Sequence, residues 1–226
     1  MKRRRAPRGF GEQLRDEILD ATTDLLLETG HAKEVSIRSV AQRVGVTPPS
    51  IYLHFTDKDA LLDAVCAQYF EKLDEEMQRA AMDQPSSIEV LRAQGLAYVR
   101  FATKTPELYR IATMGEARPG SDIDVTLDNA AFRHLQNSVE TLMAEGIFAA
   151  GDSTTVALEL WATAHGLAAM LVSRPHLPWG DTEEFADRVL KAVCMGEIVS
   201  GALGSDAMPQ EAIAQLKGLL NEQLRR

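Results

Sequence analysis

The chain has 226 residues, 45% of them hydrophobic and 25% charged, which excludes a wholly disordered protein. It has two cysteines, Cys66 and Cys194, whose wide separation argues against a disulfide framework and fits the reducing cytoplasm. The net charge of −9 is concentrated after residue 60, because residues 1–60 contain ten basic and nine acidic residues, so a basic face there can still bind phosphate.

Apolar residues recur with a period near 3.6 along most of the chain, and strict alternation is scarce, so the sequence predicts an all-α fold. The first helix is predicted over residues 10–29, where Gly30 provides a C-terminal stop. A short helix is predicted over residues 37–44, with Ser36 as its N-cap. Gly45 then interrupts the helical pattern.

A second short helix is predicted directly after Thr47. Pro48 and Pro49 fit only in its first turn, where their missing N–H groups have no partner within the helix. The segment from Thr56 to Asp59 matches a capping box and predicts the start of a long helix. This helix and the later ones are predicted to end or lie at residues 81, 86–104, 106–114, 124–144, 153–173, 182–203 and 209–224.

Residues 37–54 have the pattern of a helix-turn-helix, in which two short helices pack at a steep angle across a tight turn. Ala41 supplies the small residue where the helices meet, and Gly45 supplies a turn residue that tolerates positive φ. The apolar positions that face the core are Val40, Val44, Val46 and Ile51. The second helix of such a motif enters the major groove of double-stranded DNA, which makes its exposed side chains candidate contacts.

The hydroxyls of Thr47 and Ser50 can reach base edges or phosphates, and Pro48 can contact a thymine methyl group. The second short helix has no Arg, Asn or Gln, so the candidate for a guanine or phosphate contact is Arg38 on the preceding helix. Lys58 lies at a helix N-terminus, where a phosphate is favoured.

These segments resemble the TetR/AcrR family of repressors over roughly residues 12–65. The matching stretches are Ser36–Ala41 (SIRSVA), Val44–Thr47 (VGVT), Ile51–Phe55 (IYLHF) and Lys58–Leu62 (KDALL). The resemblance implies phosphate contacts by Tyr52, His54 and Lys58, and contacts to bases or nearby phosphates by Arg38, Thr47 and Ser50. Pro48 and Pro49 depart from the family, which often has Arg, Lys or Gly there, and suggest an unusual sequence preference.

The N-terminal arm is basic and has two interpretations. Arg3, Arg4 and Arg5 either lie in the minor groove or against phosphates, or they belong to a solvated, disordered tail.

The segment Trp161–Leu167 resembles the Trp…His-Gly stretch of one C-terminal regulatory domain in this family. This implies a helical effector-binding domain that dimerises through its last helices. Trp161 and His165 share a helix face, where they either contact an effector or form a buried pair with His165 bonded to backbone. The small residues proposed for close helix approach at a dimer interface are Gly166, Ala168, Ala169, Gly201 and Ala202.

Aromatic and methionine side chains of the C-terminal part are candidates for an apolar pocket, although residues at helical spacing more often form plain core. The ligand-binding candidates are Tyr98, Phe101, Tyr109, Met114, Met143, Trp161 and His165, with Phe132 and Met170 in the wider set.

The sequence predicts neither an enzyme nor a cofactor or metal site. The histidines and cysteines have no metal-ligand spacing, and no nucleophile elbow, phosphate loop or zinc motif is present. The most apolar segment, residues 156–172, contains Glu159 and His165 and is interpreted as a buried or interface helix rather than a membrane span.

Residues 1–58 are therefore predicted to form a helix-turn-helix DNA-binding domain, and residues 59–226 a helical effector-binding and dimerisation domain. One short recognition helix gives little affinity alone, so a homodimer on a palindromic operator is expected. The predicted protein is a cytoplasmic repressor that a small apolar effector releases from DNA. Two alternatives are a DNA-binding regulator without a ligand and a helical interaction protein that has lost DNA binding.

Overall fold

The computed structural model describes residues 10–113, 130–204 and 209–223. Within these ranges the chain forms ten helices and no strand, which confirms the predicted all-α fold. The helices are α1 (Phe10–Thr29), α2 (Ile37–Val44), α3 (Pro48–Ile51), α4 (Lys58–Ala81), α5 (Ser87–Lys104), α6 (Pro106–Thr113), α7 (Ala130–Ala144), α8 (Ser153–Ser173), α9 (Thr182–Leu203) and α10 (Pro209–Gln223). The predicted start of a helix at residue 124 lies outside the described residues.

The first three helices and the start of α4 enclose one apolar core. Ile18 and Leu26 from α1, Val40 from α2 and Ile51 from α3 are fully buried in it. Leu61, Leu62 and Val65 of α4 belong to the same core. The predicted domain boundary after residue 58 thus falls where α4 begins, and the first two turns of α4 pack with the N-terminal unit.

The turn between α2 and α3 has the geometry that the sequence predicts. The Ser36 side chain accepts a hydrogen bond from the Ser39 backbone N–H, and the Ser39 hydroxyl accepts one from the Ser36 backbone N–H, closing a capping box. Gly45 ends α2 with φ 77°, a left-handed conformation that is easiest for glycine. These local interactions fix the angle at which α3 leaves α2.

The N-cap of α4 differs from the predicted one. Asp57, rather than Thr56, caps this helix, and its carboxylate accepts a hydrogen bond of 2.8 Å from the Ala60 backbone N–H. Asp and Thr can both cap, and the observed extended backbone of Asp57 brings its own side chain to the open N–H groups. The Thr56 hydroxyl instead donates to the Asp57 carboxylate at 3.4 Å.

We therefore expect Asp57→Ala to lower the free energy of unfolding by about 1 kcal/mol, the usual value of an N-cap. Thr56→Ala is the matched control and is expected to change it by less than about 0.5 kcal/mol. Urea denaturation followed by circular dichroism measures both. A larger loss for Thr56→Ala than for Asp57→Ala would contradict the observed cap.

The rest of the chain packs around α5, which contacts α4, α7, α8 and α9. Helix α8 has the length and apolar composition of a membrane span, but it contributes seven buried residues to the core. This burial fits the predicted core or interface helix.

Two of the small residues proposed for a dimer interface are used inside the protomer. Ala168 is fully buried in the core. A Cβ added at Gly201 would lie 3.0 Å from the backbone nitrogen of Ala149, so this glycine permits close contact between α9 and the loop before α8. Gly166 and Ala202 are exposed. The interpretation of Ala168 and Gly201 as interface residues is therefore wrong.

Candidate DNA-binding face and effector cavity

Helix α3 has one anchoring side chain and several exposed ones. Ile51 is fully buried in the N-terminal core and holds α3 against α1, α2 and α4. Thr47 is exposed, and its hydroxyl lies 3.1 Å from that of the half-buried Ser50. Pro48 is half-buried. The hydroxyls of this pair are thus placed at the surface beside the helix N-terminus, as a DNA contact requires.

The turn that follows α3 presents further candidates to solvent. Tyr52 is 53% exposed, and His54 is half-buried. Arg38 on α2 is also exposed. The sequence prediction missed Leu53, which is 84% exposed although it is a large apolar residue. Its position between Tyr52 and His54 was the available signal, because neighbours in a turn share its surface.

Lys58 is held in place by the loop between α1 and α2. Its ammonium donates a hydrogen bond of 2.6 Å to the carbonyl oxygen of Ala32, and its side chain is half-buried. An ammonium has three N–H donors, so this bond alone does not exhaust it. The contact orders the side chain beside the N-terminus of α4, where an anion is favoured.

Two further interactions stiffen this unit. Arg43 of α2 donates two hydrogen bonds, of 3.0 and 2.6 Å, to the carboxylate of Glu28 on α1. The hydrogen bonds from Arg43 lower the pKa of Glu28. The guanidinium of Arg15 lies 5.3 Å from the centre of the Phe55 ring. The candidate residues Arg3, Arg4 and Arg5 lie outside the described residues.

A cavity of about 170 Å³ lies in the C-terminal part, between α4, α5, α7, α8 and α9. Of the predicted ligand contacts, Tyr98 and Trp161 line it, as does Phe132 from the wider set. Most of the remaining lining is aliphatic, contributed by Leu73, Ile88, Leu91, Leu135, Leu160, Leu190, Val193 and Ile198. The sequence prediction missed these residues, because their spacing is that of ordinary core.

Four other predicted ligand contacts do not line this cavity. Tyr109 is fully buried, and His165 lies behind Trp161. The Phe101 ring packs against Tyr69 with centroids 5.1 Å apart, and Met143 packs into the core around α7. These side chains are used in packing between helices, so their prediction as contacts in this cavity is not supported. Met114 lies outside the described residues.

His165 is the centre of a buried polar cluster. Its Nδ1 lies 3.1 Å from the Tyr98 hydroxyl and 3.0 Å from the Tyr109 hydroxyl, which also donates to the His165 carbonyl oxygen at 3.1 Å. The Trp161 and His165 rings stack with centroids 5.0 Å apart. The two interpretations of this pair are therefore both met in part, because Trp161 lines the cavity and His165 is a bonded core residue.

Burial determines the charge state of this cluster. It lowers the pKa of His165 and raises the pKa values of Tyr98 and Tyr109, so all three side chains are neutral near pH 7. A neutral imidazole can accept one hydroxyl proton at Nδ1, which fits a hydrogen bond donated by Tyr98.

We expect His165 to reduce stability in acid. Above its unfolded pKa, about 6.5, the imidazole is neutral in both states and contributes nothing. As the pH falls below that value the unfolded chain binds the proton more readily, because the folded pKa is lowered, and folding becomes less favourable. The drop in unfolding free energy from pH 7 to pH 5 should be smaller in His165→Gln than in the wild type, as measured by urea denaturation. An equal drop would contradict this assignment.

Helices α4 and α6 each contact both the N-terminal core and the region of the cavity. Leu61 and Leu62 of α4 lie in the N-terminal core, whereas Leu73 and Met77 of the same helix line the cavity. On α6, Leu108 and Ile111 pack against the N-terminal core, and Tyr109 between them joins the His165 cluster. A displacement at the cavity can therefore reach the DNA-binding unit through two helices.

Comparisons with known proteins agree with this division. Residues 18–65 match the family model for bacterial regulatory proteins of the tetR family, and residues 91–193 match the model for the tetracyclin repressor-like C-terminal domain. The nucleoid occlusion factor SlmA of Pectobacterium carotovorum subsp. carotovorum (strain PC1) is 24% identical over 179 residues, which are 77% of this chain and 90% of that protein.

Solved structures show the same architecture. A protein of unknown function from Rhodococcus sp. RHA1 aligns with a TM-score of 0.71 and 27% identity, covering 82% of this chain and 95% of its own. The TetR family transcriptional regulator PfmR from Thermus thermophilus aligns with a TM-score of 0.58 and 19% identity, covering 79% and 97%. Together with the helix-turn-helix geometry, these matches show that the chain belongs to the TetR family of DNA-binding transcription regulators.

Proposed function

We propose that this regulator is a cytoplasmic repressor that binds a palindromic operator as a homodimer and leaves it when a small apolar molecule enters the cavity. The observation that carries the proposal is the pair of helices, α4 and α6, that pack both with the DNA-binding unit and beside the cavity. A cavity without such a connection would give the ligand no path to the operator.

The DNA-binding face supports the first half of the proposal. We assign phosphate contacts to Tyr52, His54 and Lys58, and base-edge or phosphate contacts to Arg38, Thr47, Pro48 and Ser50. The ordered side chain of Lys58 and the surface position of Tyr52 support these roles. Arg3, Arg4 and Arg5 are proposed to add contacts from the N-terminal arm.

The exposed surface of α8 and α9 supports a homodimer. Leu158 and Met170 on α8, and Met195 on α9, are large apolar side chains that face solvent in the single chain. Ala162 and Gly166 are exposed on α8 and allow a second helix to approach closely. Covering this surface with its own copy would place two α3 helices in a two-fold arrangement, which a palindromic operator matches.

Release is proposed to be a shift between two populations. The ligand stabilises the arrangement in which the two α3 helices no longer match successive major grooves. A ligand that takes the operator-bound fraction from 99% to 1% must prefer the released state by roughly 10⁴-fold, or about 5.5 kcal/mol. The described lining of the cavity is predominantly apolar, so the burial of an apolar ligand is the natural source of that preference.

Selection of bound duplexes from a random DNA pool tests the proposal without a guessed operator. The expected product is one motif with two inverted half-sites whose centres are about 10 base pairs, or a multiple of that, apart. In vitro transcription from a promoter that contains this motif should fall when the protein is added. Absence of an enriched motif would contradict the DNA-binding assignment, and increased transcription would contradict repression.

A further inference from the structure

The polar groups that line the cavity already have partners within the protein. The Tyr98 hydroxyl is bonded to His165, and the Thr163 hydroxyl donates to the Glu159 carbonyl oxygen at 3.0 Å. Burial raises the pKa of the Cys194 thiol to about 11, so this thiol is uncharged at neutral pH. A ligand with its own hydrogen-bonding groups would lose its bonds to water on entry and gain none from these side chains.

The charges at the rim of the cavity are balanced. Arg92 donates to Asp187 at 2.5 Å and to Glu89 at 3.0 Å. Lys191 is exposed and supplies the second positive charge beside Asp187. Two cations therefore face two carboxylates, which leaves no net charge to attract an ionic ligand.

The inner surface suits an aromatic ring. Phe70, Phe132 and Trp161 contribute three rings, and Met77 and Cys194 contribute sulfur atoms, which pack favourably against ring edges. The Trp161 ring is held by its stacking on His165, so it presents a fixed plane to the cavity. The volume of about 170 Å³ is close to the roughly 150 Å³ of an apolar cavity known to hold benzene.

We infer that the ligand of this cavity is an uncharged aromatic molecule of about one substituted ring, with little hydrogen-bonding capacity. The inference rests on the proposed function, because it names the chemical class of the effector. It places the ring between Phe70, Phe132 and Trp161, where contact is by shape and dispersion rather than by hydrogen bonds.

A set of similar-sized probes tests this class. Toluene, phenol, benzoate and benzylamine share a ring and differ in polarity or charge. The chain has two tryptophans, so Trp179→Phe leaves Trp161 as the sole indole reporter beside the cavity. Toluene should quench this fluorescence with saturation, phenol should bind at least about tenfold more weakly, and the two ions should bind at least about a hundredfold more weakly.

Two variants of one lining residue locate the binding. Cys194→Phe should abolish the toluene response by filling the cavity, whereas Cys194→Ala should retain it within about threefold. Circular dichroism verifies the fold of both, and the probe ranking in the Trp179→Phe protein decides the chemical class if Cys194→Phe does not fold. Unchanged toluene binding in folded Cys194→Phe would overturn the assigned position.

The outcomes separate the ligand class from the proposed function. Benzoate or benzylamine binding as tightly as toluene would overturn the class, as would toluene without effect up to its solubility limit. Toluene that binds in the expected order but leaves operator affinity unchanged would support the class and contradict ligand-induced release. Operator release by a charged compound that competes for the cavity would support release and overturn the class.

Discussion

Operator affinity is expected to fall by about a hundredfold to a thousandfold in the double variant Tyr52→Phe/Lys58→Ala. Each variant subunit loses one hydroxyl and one ammonium from the DNA-binding face. A lost hydrogen bond of this kind costs about 1 kcal/mol, and a dimer loses four of them. Fluorescence anisotropy on the selected duplex measures the change.

Salt dependence distinguishes phosphate contacts from a folding defect. The slope of log affinity against log salt should become shallower by about 2, one for each Lys58 of the dimer. Lys217→Ala removes the same charge from the exposed side of α10 and should leave both affinity and slope unchanged. Because Lys58 also bonds to Ala32, circular dichroism must show that the double variant remains folded. An affinity within threefold of the wild type would contradict the assigned contacts.

Ligand-induced release is expected to be largely lost in Tyr109→Phe, although the ligand still binds. Trp161 lines the cavity and stacks on His165, and the Tyr109 hydroxyl contacts both the imidazole and the backbone carbonyl of His165. Its neighbours on α6, Leu108 and Ile111, pack against the DNA-binding unit. Removing this hydroxyl breaks the polar contact between the cavity and α6 while leaving the ring in place.

Coupling energies between sites are typically about 1–3 kcal/mol, so the wild type should lose about 5–150-fold in operator affinity when the ligand is bound. The variant should lose less than about threefold, with ligand affinity and ligand-free operator affinity near the wild-type values. Tyr69→Phe removes a buried hydroxyl from the same core without removing a bond to His165, and should release normally. Full release in Tyr109→Phe would show that α4 alone transmits the signal.

The elements near the DNA-binding face could be predicted from sequence because their determinants are local. Ser36 caps a helix with Ser39 three residues away, and Gly45 ends it by its own backbone conformation. Such interactions depend on short spacings that are visible in the sequence. The bounds of α1 and α2 followed from them.

The cap of α4 shows where local reasoning stops. Thr56 and Asp57 are both good capping residues, and their order alone does not decide which one faces the open N–H groups. The backbone of Asp57 is extended, and its carboxylate reaches Ala60. Packing of the preceding turn sets this conformation, and that packing is not a local property.

The cavity could be predicted only in part because its lining comes from five helices. Tyr98 and Trp161 were found as aromatic residues, but nothing in their spacing marks Leu73 or Leu190 as neighbours. His165 meets tyrosines that lie 67 and 56 residues away in the chain. Gly201 likewise acts in a contact with Ala149 that the small-residue pattern assigned to a dimer interface.

The most direct test of the whole account is the affinity of one ligand for the protein in its free and operator-bound states. The probe is the tightest-binding member of the aromatic set, measured by Trp161 fluorescence in Trp179→Phe protein with and without saturating operator. Linkage requires the ligand to bind the free protein more tightly, by the same factor by which it weakens operator binding. A ratio of about 5 or more that matches the loss of operator affinity is the predicted result. Equal affinity for the two states would contradict release by ligand binding.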